Sequence, residues 1–252
     1  RPGPRLYQVN VGGTWKVLRQ CMEHDVGKMV YVSSVHAIPE KPAPQTITET
    51  HQFTPDEIDG DYGKSKAMAT ALVLKAAQEG LNASVVHPSG IIGPGDLACG
   101  NMTRMLLALS RGRLPLGVKG GYDFVDVRDV AVGILACAER GKAGECYILS
   151  GHYASIRDIF TMTASLLGEK APRLYAPAAL AKCFAPICEK IAHLRKQRPF
   201  FTPYSISVLD SNGHFSNAKA SKTLGFHARP LKETLRSTLH WFRTQKMLSP
   251  AR

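Results

Sequence analysis

Three short apolar runs separated by helical patterns limit what this chain can fold into. Lys28-Met29-Val30-Tyr31-Val32-Ser33-Ser34 and Ala83-Ser84-Val85-Val86-His87-Pro88 read as strands, and Glu145 to Leu149 as a third. Between the first two runs a helical pattern extends from Tyr62 to about Gly80, with Ala67, Met68, Ala71, Leu72 and Leu74 as its apolar positions. Ahead of them, Leu6, Val9, Val17, Leu18 and Cys21 mark a helix from Leu6 to Met22, despite Gly12-Gly13. Parallel strands need a crossover helix, so this alternation predicts an α/β fold built on a parallel sheet. Further helices are expected at Asn101 to Gly112 and Ile156 to Leu167.

Within the central helix, Tyr62-Gly63-Lys64-Ser65-Lys66 places a phenol and an ammonium four residues apart, on one face and one turn from each other. A nearby positive charge favours phenolate and lowers a pKa that is ordinarily near 10. A phenol tuned in this way exchanges a proton with a substrate alcohol near neutral pH. Taken alone, the pair reads by default as a half-buried Tyr beside a solvated Lys. The flanking strands change that reading: one ends in Ser33-Ser34, and the other runs into Pro88-Ser89-Gly90 and then Gly93-Pro94-Gly95.

Strand–Ser, helix–Tyr/Lys, strand–Pro-x-Gly, in that order, resembles the extended short-chain dehydrogenase/reductase family of NAD-dependent epimerases, dehydratases and dihydroflavonol-reductase-like enzymes. Asn10-Val11-Gly12-Gly13-Thr14-Trp15-Lys16-Val17-Leu18 is similar to a helix of that family, departing from it at Lys16. Asp123 to Ala131, Phe215 to Phe226 and the segment led by Pro230 resemble later family pieces. The resemblance implies an NAD(P)-dependent oxidoreductase or epimerase, with hydride passing between the nicotinamide of NAD or NADP and a carbonyl or alcohol carbon of a small molecule. It implies Tyr62 as acid/base, Lys66 as the group that lowers its pKa and holds the nicotinamide ribose, and Ser34 as the group orienting the substrate oxygen. Ser34 is preferred to Ser33 because the family's catalytic residue aligns with the second hydroxyl, and strand alternation sends the two to opposite faces. Asn10 would organise a water or the lysine; equally, it reads as an Asn satisfying backbone groups at a distorted helical turn. His87, Pro88, Ser89 and Gly90 would lie against the nicotinamide, with His87 where many relatives carry Arg, and His36 would face substrate. Asp126 and Asp129 read as structural. The alternative is a catalytically inactive NAD(P)-sensing or scaffold protein of the same fold.

The expected architecture is a Rossmann-like parallel sheet with a smaller mixed α/β substrate lobe. Residues 1–150 would form the carboxyl part of the cofactor domain, with an inserted segment at about 90–122, and residues 151–252 mainly the lobe and closing helices. The family's opening strand and Gly-x-x-Gly-x-x-Gly turn, which hold the cofactor pyrophosphate, have no counterpart here. The reading is therefore of an amino-terminally truncated domain, about 60–90 residues short at ~30 per βαβ unit. The polar stretch from His36 to Asp61 is a long loop expected to overhang the site. In the lobe, Leu180, Phe184, Ile187 and Ile191 favour an apolar carbonyl substrate over a nucleotide sugar, with Arg195, Lys196 and Arg198 beyond them. The same side chains equally suit the lobe's own core or a homodimer contact.

Net charge is +12, but the basic residues are dispersed and no aromatic-interleaved basic stripe accompanies them, so nucleic-acid binding is set aside. No apolar run reaches spanning length. Six scattered cysteines without a Cys-x-x-Cys pair imply neither a zinc site nor a disulfide framework and fit a reducing cytoplasm. No metal site is expected.

Overall fold

The computed structural model describes residues 4–114, 116–184, 190 and 202–248. Its strands are β1 (Met29–Val32), β2 (Ala83–Pro88), β3 (Gly90–Ile92), β4 (Leu116–Val118), β5 (Gly121–Asp126), β6 (Cys146–Leu149), β7 (His152–Ser155) and β8 (Leu174–Ala176). The helices used below are α1 (Pro4–Tyr7), α2 (Gly13–Glu23), α3 (Asp61–Gln78), α4 (Asn101–Ser110), α5 (Val127–Arg140) and α6 (Ile156–Leu167). Shorter helices follow at Pro203–Asp210 and Ala218–Leu224, then a longer one at Leu231–Thr244. The chain divides into two compact units. One comprises Arg1–Ile91, Arg128–Gly151 and His214–Ala228; the other comprises Ile92–Val127, His152–Gly213 and Arg229–Arg252.

The first unit is built on a sheet of order β1-β2-β6. β1 pairs parallel with β2, Met29 opposite Ala83 and Val32 opposite Val86. β2 pairs parallel with β6, Val85 opposite Cys146 and Pro88 opposite Leu149. All six residues of β2 are buried, as expected of a parallel strand covered on both faces. Leu18 of α2, Val73, Leu74 and Ala76 of α3, and Leu81, Ala83, Val85 and Cys146 share one core cluster. Each of the larger aliphatic side chains contributes roughly 1.5–3 kcal/mol through burial. The parallel β1–β2 pair joined through α3 is the α/β arrangement that the alternation of runs predicts.

Two glycines let α3 dock where it does. Gly60, just ahead of the helix, has φ +77°, in the left-handed region that a side chain disfavours. Gly63 lies against the loop after β1, where a Cβ would meet the His36 carbonyl oxygen and Ile58 Cγ2, each at 2.6 Å. The amino-terminal helical pattern is not uniform: Gln8–Gly12 forms a π-helical segment between α1 and α2, and Asn10 lies inside it.

In the second unit β5 pairs antiparallel with β7, Gly121 opposite Ser155, and β4 pairs parallel with β8. α6 starts where sequence places it, with Ser155 and Asp158 forming a reciprocal capping box. Val118, Ala178 and Ile206 form a small core. Asp126 is buried and faces Arg229 at 3.6 Å, an ion pair within the unit. Leu180 and Phe184 are exposed at 54% and 59%. Ile187, Ile191, Arg195, Lys196 and Arg198 lie outside the described residues.

Candidate active site

Because β1 and β2 are parallel, their carboxyl ends share one edge of the sheet, where ligands of open α/β sheets bind. The backbone N–H of Ser33 still reaches the Val86 carbonyl at 2.8 Å, so the ladder ends between the two serines. Their hydroxyls then diverge. Ser33 Oγ lies 2.7 Å from Thr70 Oγ1 in the interior. Thr70 donates its one hydroxyl proton to the Lys66 carbonyl at 2.8 Å, which makes Ser33 the donor of that pair. Ser34 is extended, φ −160° and ψ 152°, and caps the short turn Val35–Ala37, its Oγ accepting from the His36 N–H at 3.3 Å. The same hydroxyl lies near enough to the Tyr62 phenol to favour its ionised form.

Tyr62 is 38% exposed. Burial pushes its phenol above the ordinary value, and the nearby Ser34 hydroxyl works against that. Lys66, one turn on, directs its ammonium at the Val32 carbonyl, 3.0 Å away, and lies 5.2 Å above the Tyr31 ring. Burial lowers the Lys66 pKa. Residue spacing alone predicts a phenol lowered by Lys66. In this geometry the ammonium is engaged by the backbone, and desolvation decides the direction.

Asn10 projects from the π segment to Ser65, its Nδ2 donating to Oγ at 2.9 Å. Ser65 donates in turn to the Tyr62 carbonyl at 2.8 Å. Thr14 Oγ1 donates to the Asn10 carbonyl at 2.6 Å. The Asn10 amide therefore grips the turn that carries Tyr62 and Lys66 rather than either side chain. Such π segments are recurrent at functional sites. His36 meets Tyr62 edge to face at 6.0 Å, and burial lowers its pKa to about 4, so its imidazole is neutral at pH 7.

On β2, His87 is fully buried, with Nδ1 3.0 Å from the Ser34 carbonyl and its ring stacked on Phe53 at 5.5 Å. His87 is thus enclosed, and its polar contact is with Ser34. Pro88 and Ser89 continue the edge as buried residues, Ser89 N–H donating to the Leu149 carbonyl at 3.3 Å, and Gly90 opens β3. Phe53, Thr70 and the relay through Ser65 escape a sequence reading. Nothing in a polar loop marks which aromatic will dock, and hydroxyl pairings depend on the helix rotation that packing sets.

Among the described residues no cluster of His, Cys, Asp and Glu could hold a metal, and no helix is long and apolar enough to cross a membrane. Cys21, Cys99, Cys137, Cys146 and Cys183 are free thiols.

Residues 3–150 match the family model of the NAD dependent epimerase/dehydratase family. The chain belongs to this family. A putative dihydroflavonol 4-reductase of Synechocystis sp. (strain ATCC 27184 / PCC 6803 / Kazusa) is 32% identical over 241 residues, 94% of this chain and 70% of that protein. The sterol demethylase protein B of Methylococcus capsulatus is 29% identical, over 98% of this chain and 76% of its own length. The crystal structure of gox2253 superimposes with a TM-score of 0.83 at 30% identity, covering 99% of this chain and 76% of that one. The fold is thus the Rossmann type of the epimerases and dehydratases. The family is NAD(P)-dependent, and more distant structures with this fold were crystallised with NAD or NADPH.

The residues present fit the nicotinamide end of such a cofactor. Lys66 spends one N–H on Val32, and its other two have no partner among the described residues, beside an exposed edge at Val32.

Proposed function

We propose that this chain carries the acid/base machinery of an NAD(P)-dependent oxidoreductase acting on a secondary alcohol or ketone. The observation that carries the reading is the gathering of Ser34, Tyr62 and Lys66 at the carboxyl edge of β1: Ser34 caps the turn whose His36 ring meets Tyr62 at 6.0 Å, and Lys66, one turn behind Tyr62, donates to the Val32 carbonyl. NAD(P), when bound, supplies or accepts the hydride. Tyr62 gives its phenolic proton to the carbonyl oxygen as that oxygen gains charge, and takes a proton back in the oxidative direction. Ser34 holds the same oxygen by its hydroxyl and keeps the phenol aimed. Lys66 is placed to bind the ribose hydroxyls through its remaining donors and, as a cation, to offset the burial that keeps the phenol protonated. His36, neutral and edge-on to Tyr62, borders the substrate oxygen as a hydrogen-bonding group. An inactive scaffold would have no need of a hydroxyl pair and a half-engaged ammonium converging on one sheet edge.

The substrate we favour is an apolar ring ketone or alcohol rather than a nucleotide sugar. Leu180 and Phe184 expose apolar surface in the second unit, and the similar proteins above are named for dihydroflavonol and sterol chemistry. The test is NAD(P)H oxidation by the full-length protein across flavonoid- and steroid-like ketones and UDP-sugars. Turnover confined to the ring ketones supports the reading, and turnover confined to the UDP-sugars refutes the substrate class.

A further inference from the structure

The Ser34 hydroxyl is useful only if its backbone is held, and the structure shows what holds it. Ser34 lies beyond the last ladder hydrogen bond of β1. Its carbonyl accepts twice: from the Ala37 N–H at 3.0 Å within the turn, and from the Nδ1 of His87 at 3.0 Å from the neighbouring strand. A carbonyl oxygen only accepts, so Nδ1 carries the proton. The ring is wholly enclosed, and burial lowers its pKa to about 4, with the Ser34 carbonyl working against that and the charges of Lys66 and Lys219 adding to it. A neutral ring protonated at Nδ1 has a lone pair on Nε2, and that atom is buried with no hydrogen-bond partner among the described residues. An orphaned buried acceptor is costly, and an apolar ring of the same shape would avoid the cost. The one polar service His87 performs is therefore the bond to Ser34.

The ring's plane is fixed from the other side. Phe53 stacks on it at 5.5 Å with the planes 6° apart. Phe53 ends a stretch docked at alternate residues: Ile47 pairs with Phe215, Glu49 Oε1 accepts from the Ile148 N–H at 2.9 Å, and His51 faces Glu145 at 3.3 Å. The long polar loop thus reaches Ser34 through one stacked pair of rings.

We propose that His87 is a positioning residue for catalysis: clamped by Phe53, it helps to set the Ser34 backbone and thereby the place of the Ser34 hydroxyl beside Tyr62. The inference rests on the reading of Ser34 and Tyr62 given above. Its test is the titration of Tyr62 in protein labelled with 13C at tyrosine Cζ, without substrate, the resonance being assigned as the one absent from Tyr62→Phe. Ser34→Ala removes the hydroxyl that favours phenolate, so the Tyr62 midpoint is expected to move up. His87→Phe keeps the ring and its stack but loses the donor; it is expected to move the midpoint up by the same amount, with no further change in the double variant. His87→Asn, whose amide nitrogen takes the place of Nδ1, is expected to restore the wild-type midpoint. If His87→Phe does not fold, Phe53→Leu frees the ring, and an upward shift is again expected. A midpoint that moves in Ser34→Ala but not in His87→Phe or Phe53→Leu refutes the positioning role alone, as does a shift that adds to that of Ser34→Ala. A midpoint unmoved by Ser34→Ala refutes the Ser34–Tyr62 pairing itself, and the inference with it.

Discussion

Replacing Gly63 with Ala tests whether the approach of α3 to the Ser34 turn is as tight as the structure shows. The added Cβ would sit 2.6 Å from the His36 carbonyl oxygen and from Ile58 Cγ2, where ordinary contact begins near 3.4 Å. Something must move by about 0.8 Å, and one of the two obstacles is backbone in the turn that Ser34 caps. Overpacking of this kind costs about 1–3 kcal/mol. Alanine returns about 0.5–1 kcal/mol of helix propensity, leaving a net loss of about 1 kcal/mol. For a chain of this size that is a Tm lower by roughly 2–4 °C. The larger effect is on geometry: a displacement near 1 Å between Tyr62 and Ser34 costs on the order of 10²-fold in kcat. Gly13→Ala is the matched control, since that helical glycine has nothing within 4 Å of the added Cβ. It should raise stability by about 0.5–1 kcal/mol and leave kcat alone. Thermal scans and steady-state assays on both variants decide the matter. A Gly63→Ala protein as stabilised as Gly13→Ala, with unchanged turnover, would refute the close approach and the argument built on it.

Three further outcomes are expected. Alcohol oxidation should climb with pH through the alkaline range while ketone reduction stays level, because burial holds the Tyr62 phenol above its ordinary value; an oxidation rate independent of pH from 7 to 10 would contradict this. Lys28 donates to Asn82 Oδ1, Ser84 Oγ and the Gly141 carbonyl at 3.1, 2.8 and 2.7 Å, so Lys28→Met should cost about 1–3 kcal/mol in urea unfolding without altering kcat. The hydrogen bond from Lys219 and, less strongly, its charge and that of His51 hold the Glu145 carboxyl below its usual range. Its contribution is therefore present above the unfolded pKa and fades as pH falls through the folded one; Lys219→Met should flatten that acid limb of the stability curve.

Much of this was legible in the residues, for physical reasons that differ from element to element. β2 coincides with its apolar run because a strand buried on both faces has no polar positions to blur its ends. α6 begins where Ser155 and Asp158 cap it, a local signal that tertiary packing does not override. Tyr62 and Lys66 share a face of α3 because a four-residue spacing leaves no other choice. The π segment at Asn10 has no such signature: Gly12-Gly13 hints at irregularity, but the choice of hydrogen-bond ring is made by docking against α3 through Ser65. The three-residue strands β4 and β8 are too short for any period to register. Charge spacing alone predicts a lowered phenol, whereas burial in the folded geometry acts to raise it. Which effect wins depends on where the ammonium points and how much water remains, and only the folded geometry supplies both.

The central claim is that Tyr62 moves the proton. Its most direct test is kcat for NAD(P)H-dependent ketone reduction by full-length Tyr62→Phe, with far-UV circular dichroism and cofactor affinity matching the parent. The account predicts a loss of about 10²–10⁴-fold with the KM for cofactor nearly unchanged. Turnover within a few-fold of the parent would contradict it.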